Sequence, residues 1–169
     1  MARHHFTLSR GFDMSTSCDY SCKHGAYVGT QDNSTDHPTP LHLASYKGEL
    51  EAARLLLQWG ANVDVQINGQ TPLHHASLGG YCEIMKLLLE HGADVMARDN
   101  EHSTALHLAA FEGRVCATRL LLEHGSKVHV QNNKGETPFQ VASARGHSGV
   151  AQMLVDHVHT TIRDCTVVE

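Results

Sequence analysis

A short block recurs four times along this chain. Thr39-Pro40-Leu41-His42-Leu43-Ala44 is followed by Thr71-Pro72-Leu73-His74-His75-Ala76, Thr104-Ala105-Leu106-His107-Leu108-Ala109 and Thr137-Pro138-Phe139-Gln140-Val141-Ala142. The intervals are 32, 33 and 33 residues, and a fixed period of that length signals stacked copies of one supersecondary unit. A glycine follows each block (Gly48, Gly80, Gly113, Gly146), then an apolar triplet: Leu55-Leu56-Leu57, Leu87-Leu88-Leu89, Leu120-Leu121-Leu122 and Met153-Leu154-Val155. Trp59-Gly60, His91-Gly92 and His124-Gly125 close three of the four units.

Each block carries the chemistry of a helix start. The threonine hydroxyl is placed to accept from an orphan backbone N–H, and the proline after three of the four threonines fits the first helical position. His42, His74 and His107 fall at the third helical position, where a side chain can reach back to the cap. Ala44, Ala76, Ala109 and Ala142 keep this helix thin enough for neighbours to approach. The first glycine breaks helix from helix, and Gly60, Gly92 and Gly125 stand where a left-handed residue ends the second one. A unit like this cannot bury its leucine face alone, so stability must come from stacking.

The blocks, glycines and triplets, in register four times over, resemble the ankyrin repeat from residue 36 to about 159. The resemblance implies an all-α solenoid of stacked helix-turn-helix units joined by β-hairpin loops, with repeats at 36–67, 68–100, 101–133 and 134–159. Residues 1–35 read either as a degenerate capping repeat, because Lys23-His24-Gly25-Ala26 copies a repeat end, or as a partly disordered leader, because Ser15 to Ser21 makes a poor helix. Val158 takes the place of a turn glycine, Ser148 and Gly149 weaken the last helix, and the tail 160–169 has no periodic pattern and is expected to fray. Asn68-Gly69 is a tight-turn signal. The second tip, Asp99 to Ser103, lacks glycine and is expected to be the loosest.

Composition narrows the function. Aromatics are 5% of the 169 residues against 41% hydrophobic overall, so the core is built from Leu, Ala and Val, and the chain is too apolar for intrinsic disorder. No apolar run approaches the roughly 18 residues of a membrane helix. The opening MARHHFTLSR has no apolar signal core, and five irregularly spaced cysteines make no disulfide framework. Together these point to an intracellular protein, cytoplasmic or nuclear. A net charge of −5 with scattered basic residues speaks against nucleic-acid and anionic-membrane partners.

Fifteen histidines invite a catalytic or metal reading, but most have a structural one. His42, His74 and His107 belong to the caps. His24, His91 and His124 precede helix-ending glycines, where a ring can complement the C-terminal dipole. Charging all fifteen would carry the formal charge from −5 to +10, so weaker stability or altered binding is expected below about pH 6. Cys18, Cys22 and His24, with His4 and His5, have some metal character but lack a second ligand pair. Cys82 reads as a buried apolar substitute at the position of Leu50 and Val115, and Cys116, one position later, as exposed. No nucleophile elbow, P-loop or dinucleotide fingerprint is present. The reading therefore names no catalytic, cofactor or metal site.

What the resemblance implies is a binding surface on the exposed side of the first helices and the hairpin tips. By position the groove carries Tyr46, Lys47, Leu78, Phe111, Glu112 and Arg145, two aromatics and a leucine at one-repeat intervals, with large anchors suited to hot spots. The competing reading is that these rings only cover the junctions between repeats. A polar rim follows: Gln66, Asn68 and Gln70 in the first tip, Arg98, Asp99, Glu101 and His102 in the second, Gln131, Asn132, Lys134 and Glu136 in the third. The expectation is a monomeric, non-enzymatic adaptor or scaffold holding a protein or peptide. Alternatives are a regulatory or inhibitory subunit that occludes an enzyme partner and a small Cys/His metal-binding protein.

Overall fold

The computed structural model describes residues 38–165. Among them lie eight helices in four antiparallel pairs: α1 (Pro40–Lys47) with α2 (Leu50–Gln58), α3 (Pro72–Gly79) with α4 (Cys82–Glu90), α5 (Ala105–Phe111) with α6 (Val115–Glu123), and α7 (Pro138–Ala144) with α8 (Ser148–Cys165). First helices pack side by side from α1 to α7, and second helices form a parallel row behind them. The sequence leads to this arrangement directly. Ala44, Ala76, Ala109 and Ala142 are wholly buried between neighbouring first helices, and the centres of the triplets, Leu56, Leu88, Leu121 and Leu154, are buried between the two rows. Truncating one such leucine costs about 2–5 kcal/mol.

The tips are tight turns, the first of them a minimal two-residue hairpin. Among the described residues the only bridge is Ile67 to Gln70, around Asn68 (φ 52°) and Gly69 (φ 75°), with Ile67 and Gln70 exchanging both backbone bonds at 2.9 Å. The second tip is not the loosest. The Asp99 carboxylate accepts from the Glu101 and Ser103 N–H groups at 2.9 and 2.8 Å, and His102 adopts the left-handed conformation (φ 55°) that Gly135 (φ 74°) takes in the third tip. Asn132 plays the Asp99 part there, accepting from Lys134 and Glu136 at 3.0 Å. An Asx side chain and a residue tolerating positive φ close the turn without glycine.

The end of the array also differs from expectation. Helix α8 runs 18 residues to Cys165, past the point where the tail was to fray. Its neighbours stop at left-handed Gly60, Gly92 and Gly125 (φ 82–86°); Val158 imposes no such stop, so the helix continues. Ser148 opens α8 instead of weakening it. In the last repeat Phe139 is 42% exposed, whereas Leu41, Leu73 and Leu106 at the same position are at most 1% exposed, because each of those is covered by the repeat that follows.

The caps join one repeat to the next. Thr71 and Thr104 donate their backbone N–H to Nδ1 of His74 and His107 at 3.2 and 3.1 Å, and the threonine hydroxyls of all three His-bearing repeats lie 2.7–3.0 Å from the same nitrogen. With Nδ1 accepting, the ring proton sits on Nε2. Nε2 then donates to the carbonyl of Gln70, Ser103 and Glu136 in the next tip, at 3.0, 3.3 and 3.1 Å for His42, His74 and His107. Gln140 caps its own threonine through Oε1, accepting from Thr137 N–H at 2.8 Å. His91 and His124 use Nδ1 on the Leu87 and Leu120 carbonyls, both at 2.8 Å, which matches the helix-end role; His24 lies outside the described residues.

Burial pushes the His42, His74 and His107 pKa values below 6.5, outweighing the opposing pull of the carbonyls they bond. His75, where other repeats have Leu43, Leu108 and Val141, is lowered to about 4, mainly by burial and further by His42 and His74. Its ring meets His42 and Tyr46 edge-on, with centroids 5.6 and 5.9 Å apart. The unfolded chain takes up protons near pH 6.5 and the folded rings do not, so acid favours unfolding. The melting temperature is expected to be flat above about pH 7 and to fall steadily as pH drops below about 6.5; a flat profile between about pH 5 and 7.5, by calorimetry, would contradict it. His75→Leu is expected to stabilise the chain by about 1 kcal/mol more at pH 5 than at pH 7.5, after allowance for solvent screening, as read from urea midpoints at the two pH values.

Candidate functional site

The C-terminal ends of the first helices present Tyr46, Leu78 and Phe111 at one-repeat steps. Tyr46 is 59% and Phe111 39% exposed, and Leu78 is half-buried. Lys47, Glu112 and Arg145 are exposed beside them. The Arg145 guanidinium lies 3.5 Å from the centre of the Phe111 ring, a cation–π contact that pairs neighbouring repeats. Glu112 stands 4.0 Å from Arg114.

Other side chains cover the junctions. Tyr81, Arg114 and His147 begin the second helix-bearing half of their repeats, and each lies over the junction glycine of the repeat before. A methyl added to Gly48, Gly80 or Gly113 would sit 2.5–2.8 Å from Tyr81, Arg114 or His147 respectively. Arg114 Nε donates to the Leu78 carbonyl at 3.2 Å, and His147 Nε2 to the Phe111 carbonyl at 3.0 Å. Junction cover is therefore supplied from positions 81, 114 and 147, and the backbone carrying Leu78 and Phe111 is tied to the following repeat. Sequence reasoning missed this second recurrent contact, although the 33-residue spacing of those three positions was available to show it.

The tips form a rim joined sideways, since Asn133 donates from its backbone to the Glu101 carbonyl at 2.8 Å and from its amide to the Asn100 carbonyl at 3.1 Å. Gln66, Asn68, Arg98, Glu101, His102, Gln131 and Lys134 are exposed on it. Asp99, 8% exposed, and half-buried Asn132 turn inward to hold their tips, and Gln70 and Glu136 give their carbonyls to the histidines. Asp64, below the first tip, accepts from the Asp94 N–H of the next repeat at 3.0 Å.

The cysteine reading needs correction. Cys82 is half-buried and Cys116 exposed, and the two form a disulfide between α4 and α6, Cα atoms 6.4 Å apart. Their separation of 34 residues is one repeat plus one, so stacking sets them side by side; judged as spacing within a chain rather than between repeats, it looked irregular. Cys18, Cys22, His4, His5 and His24 lie outside the described residues. Among the described residues no three His, Cys, Asp or Glu side chains gather to hold a metal ion, and no helix is long and apolar enough to cross a membrane.

Comparison with known proteins agrees with the geometry. None of the curated proteins searched matches the chain. The family model for ankyrin repeats, in three copies, matches residues 9–99 and 97–164, and arrays of this kind serve in general as protein-interaction modules. With the recurrent cap, the two helix rows and the family match together, this chain belongs to the ankyrin-repeat family.

Proposed function

We propose that this chain is a non-enzymatic adaptor or scaffold, working as a monomer in the cytoplasm or nucleus, that holds a protein or peptide against the line Tyr46, Leu78 and Phe111. The observation that carries the reading is that Tyr46 and Phe111 stay exposed, with Leu78 half-buried between them, while positions 81, 114 and 147 cover the junctions. The polar rim from Gln66 to Lys134 would set orientation around that apolar line, with Lys47, Glu112 and Arg145 at its border. Because the Leu78 and Phe111 carbonyls are already bonded to the next repeat, little backbone is ordered on binding and less entropy opposes it.

The test begins with a photo-crosslinker at position 78 or 111 in cells and identification of the proteins captured. Affinity of a captured partner is then measured for the double variant Tyr46→Ala, Phe111→Ala. The expected outcome is a loss of at least 30-fold, about 2 kcal/mol or more for two hot-spot rings, with the melting temperature changed by only a few degrees. Trp59→Ala, exposed at the end of α2, is expected to bind normally. Unchanged affinity in the double variant would overturn the groove assignment. The captured partner's own activity, assayed with and without this chain, separates an adaptor from an occluding subunit.

A further inference from the structure

The disulfide between Cys82 and Cys116 belongs to neither the caps nor the groove. Cys82 is the first residue of α4 and Cys116 the second of α6, so the bond crosses from the second repeat to the third at the start of their second helices. It shares that joint with Arg114, which lies over Gly80 and holds the Leu78 carbonyl. The two residues are unequally placed: Cys116 is exposed and Cys82 half-buried. An external thiol thus has access to one end of the bond, while stacking of the repeats keeps the other end close by for re-closure. The Cα separation of 6.4 Å lies inside the range a disulfide spans without backbone movement, and the second helices on either side are already packed together through the buried leucines.

We propose that Cys82 and Cys116 are a thiol–disulfide exchange site, a reversible staple between the second and third repeats whose reactant is a small thiol couple of the glutathione class. In opening, a glutathione thiolate attacks Cys116 Sγ, the Sγ–Sγ bond breaks, and Cys82 leaves as a thiolate that takes up a proton. A second glutathione thiolate attacks the glutathione sulfur of the mixed disulfide. Cys116 departs as a thiolate that is protonated, and oxidised glutathione is released. Two glutathione thiols are oxidised and one protein disulfide is reduced; closure is the same sequence reversed, with oxidised glutathione as oxidant. The exchange leaves the packing of both helices in place, because residues such as Met85 and Leu88 in α4 and Ala117 and Leu121 in α6 carry it. Its consequence is on the array: with the staple closed, a loop of 34 residues is removed from the freedom of the unfolded chain.

The test uses the full chain with Cys18, Cys22 and Cys165 replaced by serine, equilibrated in glutathione buffers of graded ratio, alkylated, and read by intact mass and peptide mapping. The expected result is a peptide joining Cys82 to Cys116 that appears in oxidised buffer, disappears in reduced buffer and returns on re-oxidation. The oxidised form is expected to melt about 10 °C above the reduced one. Cys82→Ser and Cys116→Ser each abolish the difference and melt like the reduced parent, which shows that they fold. Absence of the joined peptide at every ratio would overturn the proposal, as would a joined peptide that survives excess reduced glutathione, or identical melting of the two forms. None of these readouts depends on a partner, so they stand or fall apart from the groove reading.

Discussion

Three neutral imidazoles hold the repeats in register. Each uses its two nitrogens for different tasks: Nδ1 receives the threonine that begins its own helix, and Nε2 donates to a carbonyl in the next tip. Buried as they are, these rings can do both only without a charge, since an imidazolium has no lone pair to offer the cap and would be poorly solvated. A local helix start is thereby coupled to a contact 28 or 29 residues away. The alanine-thin first helices then close up beside one another, and the leucine triplets fill the space between the two helix rows. Gln140 at the same position in the fourth repeat keeps the cap through its side-chain oxygen.

From this spacing comes the surface. The groove side chains occupy a fixed lattice because their helices do, and because Arg114 and His147 tie the helix ends to the next repeat. Arg145 over Phe111 and His75 against Tyr46 reduce the freedom of the rings without burying them. The surface proposed to hold a partner is in this way ordered beforehand, and preorganisation of that kind lowers the entropy cost of binding. His75 is the one first-helix position where a polar ring replaces an aliphatic side chain, and it links the capping row to the groove.

Much of this was legible in the residues. The Thr-Pro-x-His block, the glycines and the triplets each describe one local event, and period and spacing assemble them into the stack. What escaped notice were contacts between units: the Nε2 bridge, the cover from positions 81, 114 and 147, and the Cys82–Cys116 bond. Each joins residues about one repeat apart, where a reading along the chain looks for like positions and not for touching ones. The tips misled for a different reason, since absence of glycine hid a turn that Asp99 and His102 complete. The groove positions came through the family resemblance; only coordinates could show which of them remain free of the junctions.

The most direct measurement is the tautomer and charge of His42, His74 and His107, read by long-range proton–nitrogen NMR on histidine-labelled chain at about pH 6. The account predicts three neutral rings with the proton on Nε2 and Nδ1 accepting, at a pH where an unperturbed histidine is mostly charged. Rings that are protonated on both nitrogens there, or that carry the proton on Nδ1, would contradict it, because neither form can cap its own helix and bridge to the next repeat.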